Sequence, residues 1–307
     1  MTRVAAIQAS PIYMNLARSL EKADALIKEA ASQDAQLVVF SETWLPGYPA
    51  WLDCCRDMGL WDHEPTKRLY ARLAENSVVV PGPITNILGS AARENSIVLN
   101  ISVHERVAEG PGRGTLYNSM LTFESDGTLL NCHRKIMPTF TERIIWGQGD
   151  GASLHAVETS VGRVGGLICW EHWMPLARQA LHMSGEDIHI AAWPWVKDMN
   201  LIACRQYAFE GRCFVIASGG LMRARDLPEE LEPIAEYRES PDALVLKGGT
   251  TIIAPDGGML AGPVVDEETI VMADLDLSQI KRESMALDVT GHYSRPDIFE
   301  FKRTGGR

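Results

Sequence analysis

The stretch GGLICWEHWMPLARQAL, residues 165–181, changes character at a single residue. Gly165 to Ile168 is apolar and reads as the end of a buried strand over 163–168, while helical spacing runs from 174 to 183. Cys169 stands at the junction. A strand feeding into a helix is half of a βα unit, so recurrence of the pattern would place the chain among the α/β folds. The cysteine itself has two readings: a small core residue, or a nucleophile held at the edge of a sheet.

The pattern recurs in both directions. RVAAIQAS reads as a strand, and NLARSLEKADALIKEAASQ as a helix with Leu16, Leu20, Ala23, Ile27 and Ala30 on one face and Asn15 as its N-cap. AQLVVFSE is a short buried strand, 65–75 a polar helix, NILGSAARENS a helix and IVLNISVHE a strand. LYNSMLTFESDGTLLNCHRK is a hairpin turning at Asp126-Gly127. Beyond it come strands over 153–159 and 163–168, the helix at 174–183, a strand over 187–193, a helix over 197–211 and a strand over 213–218. LKGGTTIIAPDGGML and ETIVMADLDL read as a last pair around Pro255-Asp256-Gly257. Crossovers and hairpins coexist, which predicts mixed sheets.

Composition narrows the function. Of the 307 residues, 46% are hydrophobic, enough for a large core, and the net charge is −11. That charge disfavours both a nucleic-acid surface and a polybasic membrane contact. No apolar run approaches the ~18 residues of a membrane helix, and the N-terminus has no signal-type segment, so the expected location is cytoplasmic. There the six cysteines, at 54, 55, 132, 169, 204 and 213, are expected as reduced thiols. No CxxC pair exists, and no metal site is expected. The chain reads as one domain over 1–307, with the charged stretch 223–242 as a surface excursion and 290–307 as a C-terminal arm.

Reactive groups fall at strand ends. Glu42 closes LVVFSE, Lys135 closes TLLNCHRK and Cys169 closes VGGLIC. Ligands in α/β proteins bind beyond strand ends, where loops converge. A thiol attacks as thiolate, a carboxylate can take its proton, and an ammonium can stabilise charge developing on the atom attacked. A helix N-terminus at Cys169 would add a backbone N–H. Taken singly, each residue has an ordinary explanation in core packing or a solvated loop. A Cys–His dyad is a further alternative, because His172 follows Cys169 by three residues.

Three blocks, VVFSETWLPGYP (38–49), HRKIMPTFTERIIWGQGDG (133–151) and GGLICWEHWMP (165–175), resemble the signature blocks of the nitrilase superfamily, the carbon–nitrogen hydrolases. The likeness runs from VAAIQASP to DVTGHYSRPDIF, and CWEH with RKIMPTFTER resembles the nitrilase branch. The resemblance implies an α-β-β-α sandwich of two mixed sheets between helices. It implies Glu42 as general base, Lys135 as stabiliser of developing charge, Cys169 as nucleophile and Glu142 as a supporting second glutamate. The implied reaction is hydrolysis of a small-molecule nitrile to acid and ammonia, with no metal or organic cofactor. An amidase on the same residues is the nearest alternative, and a non-catalytic thiol protein using Cys54 and Cys55 is a third. Aromatic residues crowd the blocks, and Tyr48, Trp170 and Trp193 are the expected substrate contacts. The family also implies a homo-oligomer, a dimer or a longer spiral. Trp173, Leu176, Ala180 and Met183 form the expected interface stripe, and the arm with Tyr293, Ile298, Phe299 and Phe301 would lie on a neighbour.

Overall fold

The computed structural model describes residues 1–304. In chain order the elements are β1 (Thr2–Gln8), α1 (Leu16–Ser32), β2 (Leu37–Val39), α2 (Trp51–Cys54), α3 (Glu64–Glu75), α4 (Pro83–Asn95), β3 (Val98–Arg106), β4 (Leu116–Phe123), β5 (Leu129–Arg134), β6 (Val157–Thr159), β7 (Gly162–Ile168), α5 (Pro175–His182), β8 (Ile188–Trp193), α6 (Asp198–Gly211), β9 (Phe214–Gly219), β10 (Leu221–Arg223), α7 (Ala235–Glu239), β11 (Leu244–Ile253), β12 (Met259–Val265), β13 (Thr269–Leu275) and α8 (Ser278–Glu283). Two single-turn 3-10 segments, Phe140–Ile144 and Cys169–Trp173, follow β5 and β7.

The strands form two mixed sheets. The first runs β13-β1-β2-β3-β4-β5, and the second β10-β11-β9-β8-β7-β6 with β12 beside β11. Strand period sorts the side chains. Val4 and Ala6 of β1 join Val98, Ile188, Ile190 and Ile216 in the core between the sheets. Their alternates Ala5 and Ile7 pack outward with Ala23 and Ile27 of α1 and Leu88 and Ala92 of α4. Helices α5 and α6 cover the second sheet, with Leu181, Cys204 and Ala208 buried there. The order is helix, sheet, sheet, helix, the sandwich that the family resemblance implies.

Local signals hold where they are strong. Asn15 caps α1, its side chain accepting from Arg18 N at 3.1 Å. The hairpin turns at Asp126-Gly127, where Gly127 takes a positive φ of 89°. A Cβ there would also lie 2.5 Å from Gly89 O of α4, so the turn is a packing contact as well.

The last pair of strands is arranged differently from the sequence reading. LKGGTTIIAPDGGML contains both arms of a hairpin, β11 and β12, closed by Ala254 N donating to Gly258 O at 2.8 Å. ETIVMADLDL crosses to the first sheet, where β13 runs antiparallel to β1 from Thr2↔Leu275 to Gln8↔Thr269. Burial is the reason: β12 is largely solvent-facing, whereas Val271 and Leu275 of β13 complete the inter-sheet core. Two other strands are shorter than read. The strand expected over 153–159 is confined to Val157–Thr159, and β2 stops at Val39, three residues before Glu42. The segment 223–242 lies on the surface over α2, with Leu227 and Leu231 in a third cluster and Ile234 N donating to Cys54 O at 2.9 Å. In the terminal segment Tyr293, Ile298 and Phe299 are exposed, while Phe301 packs against its own sandwich core. Residues 305–307 of the expected arm lie outside the described residues.

Candidate active site

Glu42, Lys135 and Cys169 meet at one end of the sandwich, although they come from different sheets. After β2 the chain stays paired beside β3, with Phe40 N donating to Asn100 O at 2.9 Å. Glu42 N then donates to Trp193 O at the end of β8, at 3.3 Å, which ties the first sheet to the second. Lys135 follows directly on β5, its N–H donating to Asn118 O of β4 at 2.8 Å. Cys169 follows directly on β7 with φ at +52°, a left-handed conformation that costs a non-glycine residue about 1–2 kcal/mol.

The Lys135 ammonium is the centre of the cluster. Nζ donates to Glu42 Oε1 at 2.9 Å and to Glu142 Oε2 at 2.7 Å. Glu142 sits in the 3-10 turn after β5. Its Oε2 also accepts from Thr139 N at 2.7 Å, and its Oε1 accepts from the Tyr48 hydroxyl at 2.9 Å. Asn118 Nδ2 donates to Glu42 Oε1 at 2.7 Å, whereas Glu42 Oε2 has no partner among the described residues. Carboxylate oxygens of Glu42 and Glu142 and the Cys169 sulfur all lie within 4.8 Å of one another. The Lys135 ammonium already bridges the two carboxylates, as a bound cation would. Lys135 and Glu42 are each 1% exposed and Cys169 is 5% exposed, so all three groups are buried.

Burial and charge set the proton positions. Burial, then the neighbouring Glu42, pushes the Cys169 thiol well above its ordinary value, so the resting sulfur keeps its proton. The neighbouring Trp170 backbone N–H works in the opposite direction. Burial pushes Glu42 up to about 7 against the pull of Lys135. Burial alone would lower Lys135, but Glu42, Cys169 and Glu142 together hold its ammonium above the ordinary range. The arrangement supplies a thiol, a carboxylate with one free oxygen, a fixed ammonium and a backbone N–H around one small volume.

A third glutamate aligns the strand ends. Glu171, 1% exposed, accepts from Ile136 N through Oε1 and from Ile168 N through Oε2, both at 2.7 Å. His133 Nε2 lies 3.0 Å from Oε2. One carboxylate therefore ties the residue after Lys135 to the residue before Cys169. Burial would raise Glu171, yet His133 and the backbone donors keep it low and ionised.

The structure separates the expected substrate contacts. Tyr48 is half-buried and holds Glu142. Trp170 is 57% exposed, and its backbone N–H acts to lower the pKa of the adjacent thiol. Trp193 corrects the sequence reading. It shares a strand face with His189, its Nε1 meets Cys204 Sγ of α6 at 3.3 Å, and its ring stacks on His172. That indole faces the helix layer, and only its carbonyl serves the site. His172 is not placed as a base for the thiol either, since its Nδ1 donates to Cys169 O at 2.7 Å. Sequence reading missed Asn118, His133 and Glu171. Asn118 within LYNSMLTF and Glu171 within ICWEHW are polar residues in apolar or aromatic settings, which is the signal that marks them, whereas His133, beside Asn131, Arg134 and Lys135, carries none.

Comparison with known proteins agrees with this geometry. The family model for carbon-nitrogen hydrolases matches residues 3–282. The chain belongs to that family. It is 39% identical over 298 residues to an aliphatic nitrilase of Sinorhizobium fredii, covering 97% of this chain and 94% of that protein. It is 38% identical over 299 residues to a bifunctional nitrilase/nitrile hydratase of Lupinus angustifolius, covering 96% and 84%. Among solved structures it resembles a carbon-nitrogen hydrolase from Helicobacter pylori with TM-score 0.73 at 20% identity, covering 97% and 96% of the two chains. It also resembles an amidase from Nesterenkonia sp. AN1 with TM-score 0.68 at 17% identity, covering 93% and 98%. At that identity these two structures speak for the fold.

Glu171→Ala leaves the buried N–H groups of Ile136 and Ile168 unpaired and should cost at least about 2 kcal/mol of stability. Urea unfolding checks this, and an unchanged midpoint would show that the strand ends hold without the carboxylate.

Proposed function

We propose that this protein is a nitrilase, converting an organic nitrile and two waters to a carboxylic acid and ammonia. One observation carries the reading. A buried Glu42, with one oxygen bound to Lys135 and the other free, lies beside a protonated Cys169 thiol. The similarity to nitrilases over almost the whole chain supports the choice of substrate class. Glu42 takes the thiol proton as the sulfur attacks the nitrile carbon. The S–C bond forms, one C–N π bond breaks, and charge on nitrogen meets Lys135 and the Trp170 N–H. Once nitrogen is protonated the product is a thioimidate. Water adds to it, ammonia leaves and a thioester remains. Glu42 then activates a second water, which releases the acid and returns the thiol. Glu142 and Tyr48 hold Lys135 in place throughout.

The test is ammonia release from a nitrile and from its amide. Wild type should act on the nitrile, and Cys169→Ala should be folded by circular dichroism and inactive, while Cys54→Ala and Cys55→Ala keep activity. Lys135→Met should lose about 10²–10³-fold in turnover with a smaller change in KM. Release from the amide alone would make the enzyme an amidase of the same family.

Glu42 accepts a proton only when ionised, and its value is raised from the ordinary 4.5 to about 7. Activity should therefore fall as pH drops through about 7. A kcat/KM profile with its acid limb near 4.5 would contradict this role.

We place the enzyme in the cytosol, where a reactive thiol and five further unpaired cysteines stay reduced. We also propose a homo-oligomer built on the α5 and α6 face. Trp173, Leu176 and Met183 are exposed there beside Met199, Ile202 and Phe209 of α6, while Ala177, Ala180 and Leu181 turn inward. Such a patch fits a self-complementary pair. Light scattering should give at least a dimer, and a fully active monomer at micromolar concentration would refute it.

A further inference from the structure

A second buried cluster lies behind the nucleophile, on the helix-covered face of the second sheet, and the reaction does not use it. His172 Nδ1 contacts Cys169 O at 2.7 Å. His172 Nε2 contacts His189 Nε2 at 3.0 Å. His189 Nδ1 contacts Glu186 Oε1 at 2.8 Å, and the Tyr207 hydroxyl of α6 donates to Glu186 Oε2. All four side chains are buried, with His189, Glu186 and Tyr207 packed as one group.

Hydrogen-bond direction fixes the protons. A peptide carbonyl only accepts, so His172 carries hydrogen on Nδ1. A neutral His172 then accepts at Nε2, and His189 must donate from its own Nε2. That leaves His189 Nδ1 as an acceptor if the ring is neutral, and the donor facing it is Glu186. Burial lowers His172 to about 3 and His189 well below its ordinary value, while it raises Glu186 to about 7. Among the described residues no Lys or Arg pairs with Glu186. The site is built for this carboxyl: a Cβ on Gly165 of β7 would lie 2.1 Å from Glu186 Oε1.

We propose that Glu186 is a neutral carboxylic acid at the head of a one-way hydrogen-bond chain, Glu186 to His189 to His172 to the Cys169 carbonyl, that aims the Trp170 N–H at the reacting atom. In a trans peptide the C=O and the following N–H point in opposite directions. Pulling the Cys169 carbonyl toward the helices therefore turns the Trp170 N–H the opposite way, toward the site. Glu186, His189 and His172 are positioning residues, acting through a donor that counts most in the transition state. This rests on Cys169 being the nucleophile.

The experiment compares Glu186→Ala with Glu186→Gln. Glutamine mimics the neutral acid, accepting from Tyr207 and donating to His189. Glu186→Ala should lower kcat by about 10²-fold with KM little changed, and Glu186→Gln should restore most of that loss. Equal damage from Gln and Ala would overturn the neutral acid, and wild-type kcat in Glu186→Ala would overturn the positioning role. The infrared difference between wild type and Glu186→Gln reads the proton directly, even if the Ala variant does not fold. A protonated-carboxyl stretch, shifted in D2O, is expected, and its absence would overturn the proposal. The rate of Cys169 alkylation by iodoacetamide, followed by mass, should fall in Glu186→Ala and recover in Glu186→Gln. That rate needs no turnover, so it separates failure of this chain from failure of the nitrilase reading.

Discussion

Everything at the site depends on one buried ammonium between two buried carboxylates. Lys135 donates to Glu42 and Glu142 with almost no solvent to screen the charges. Removing one partner from such a pair is far more damaging than the pair is stabilising, because it strands a charge in a dry interior. The cluster therefore needs its geometry maintained from outside. Asn118, Tyr48 and Thr139 N supply that, each giving a hydrogen bond to a carboxylate oxygen. With two carboxylates around a single cation the negative charge is in excess, and burial raises the affinity of Glu42 for a proton. The thiol proton thus finds an acceptor poised near neutrality rather than at an ordinary carboxylate value.

The sandwich turns this charge arrangement into a reactive one. Glu42 and Lys135 belong to the first sheet and Cys169 to the second, so neither sheet holds a complete site. Their separation depends on how the sheets dock. Two contacts set it at the reactive end: Glu42 N on Trp193 O, and the Glu171 bridge between the ends of β5 and β7. Close packing behind the nucleophile does the rest. A Cβ on Gly166 would come within 2.5 Å of the end of the Met120 side chain from the opposite sheet and 2.8 Å from Ile190 O of the neighbouring strand, so the glycine leaves room there for Met120.

Much of this was legible in the sequence because it is local. Apolar runs, one N-cap and an Asp-Gly turn placed most elements, and three reactive residues just past three strands pointed to the site. Partners distant in sequence were less visible. No pattern within ETIVMADLDL says that it pairs with β1 rather than with the preceding hairpin, since both offer a strand edge and only the buried core decides. Trp193 was misplaced for a related reason. Its strand is buried on both faces, so alternation between apolar and polar residues, the usual marker of facing, is missing. Tyr48 was read as a substrate contact, but its hydroxyl is committed to Glu142, a choice made by a turn 94 residues away.

The strained nucleophile shows how these layers join. A left-handed cysteine persists only if its surroundings over-determine it. Here the restraint comes from both faces of the second sheet. On the site side Glu171 grips Ile168 N, just before Cys169. On the helix side His172 grips the Cys169 carbonyl, just after the strained φ. Gripping the N–H on one side and the C=O on the other leaves the intervening backbone little freedom to relax to a right-handed turn. Both gripping residues lie within CWEH, so the segment that carries the sulfur also carries the means of holding it. Their own anchors, His133 on one sheet and His189 on the other, transmit the position of each sheet to the thiol.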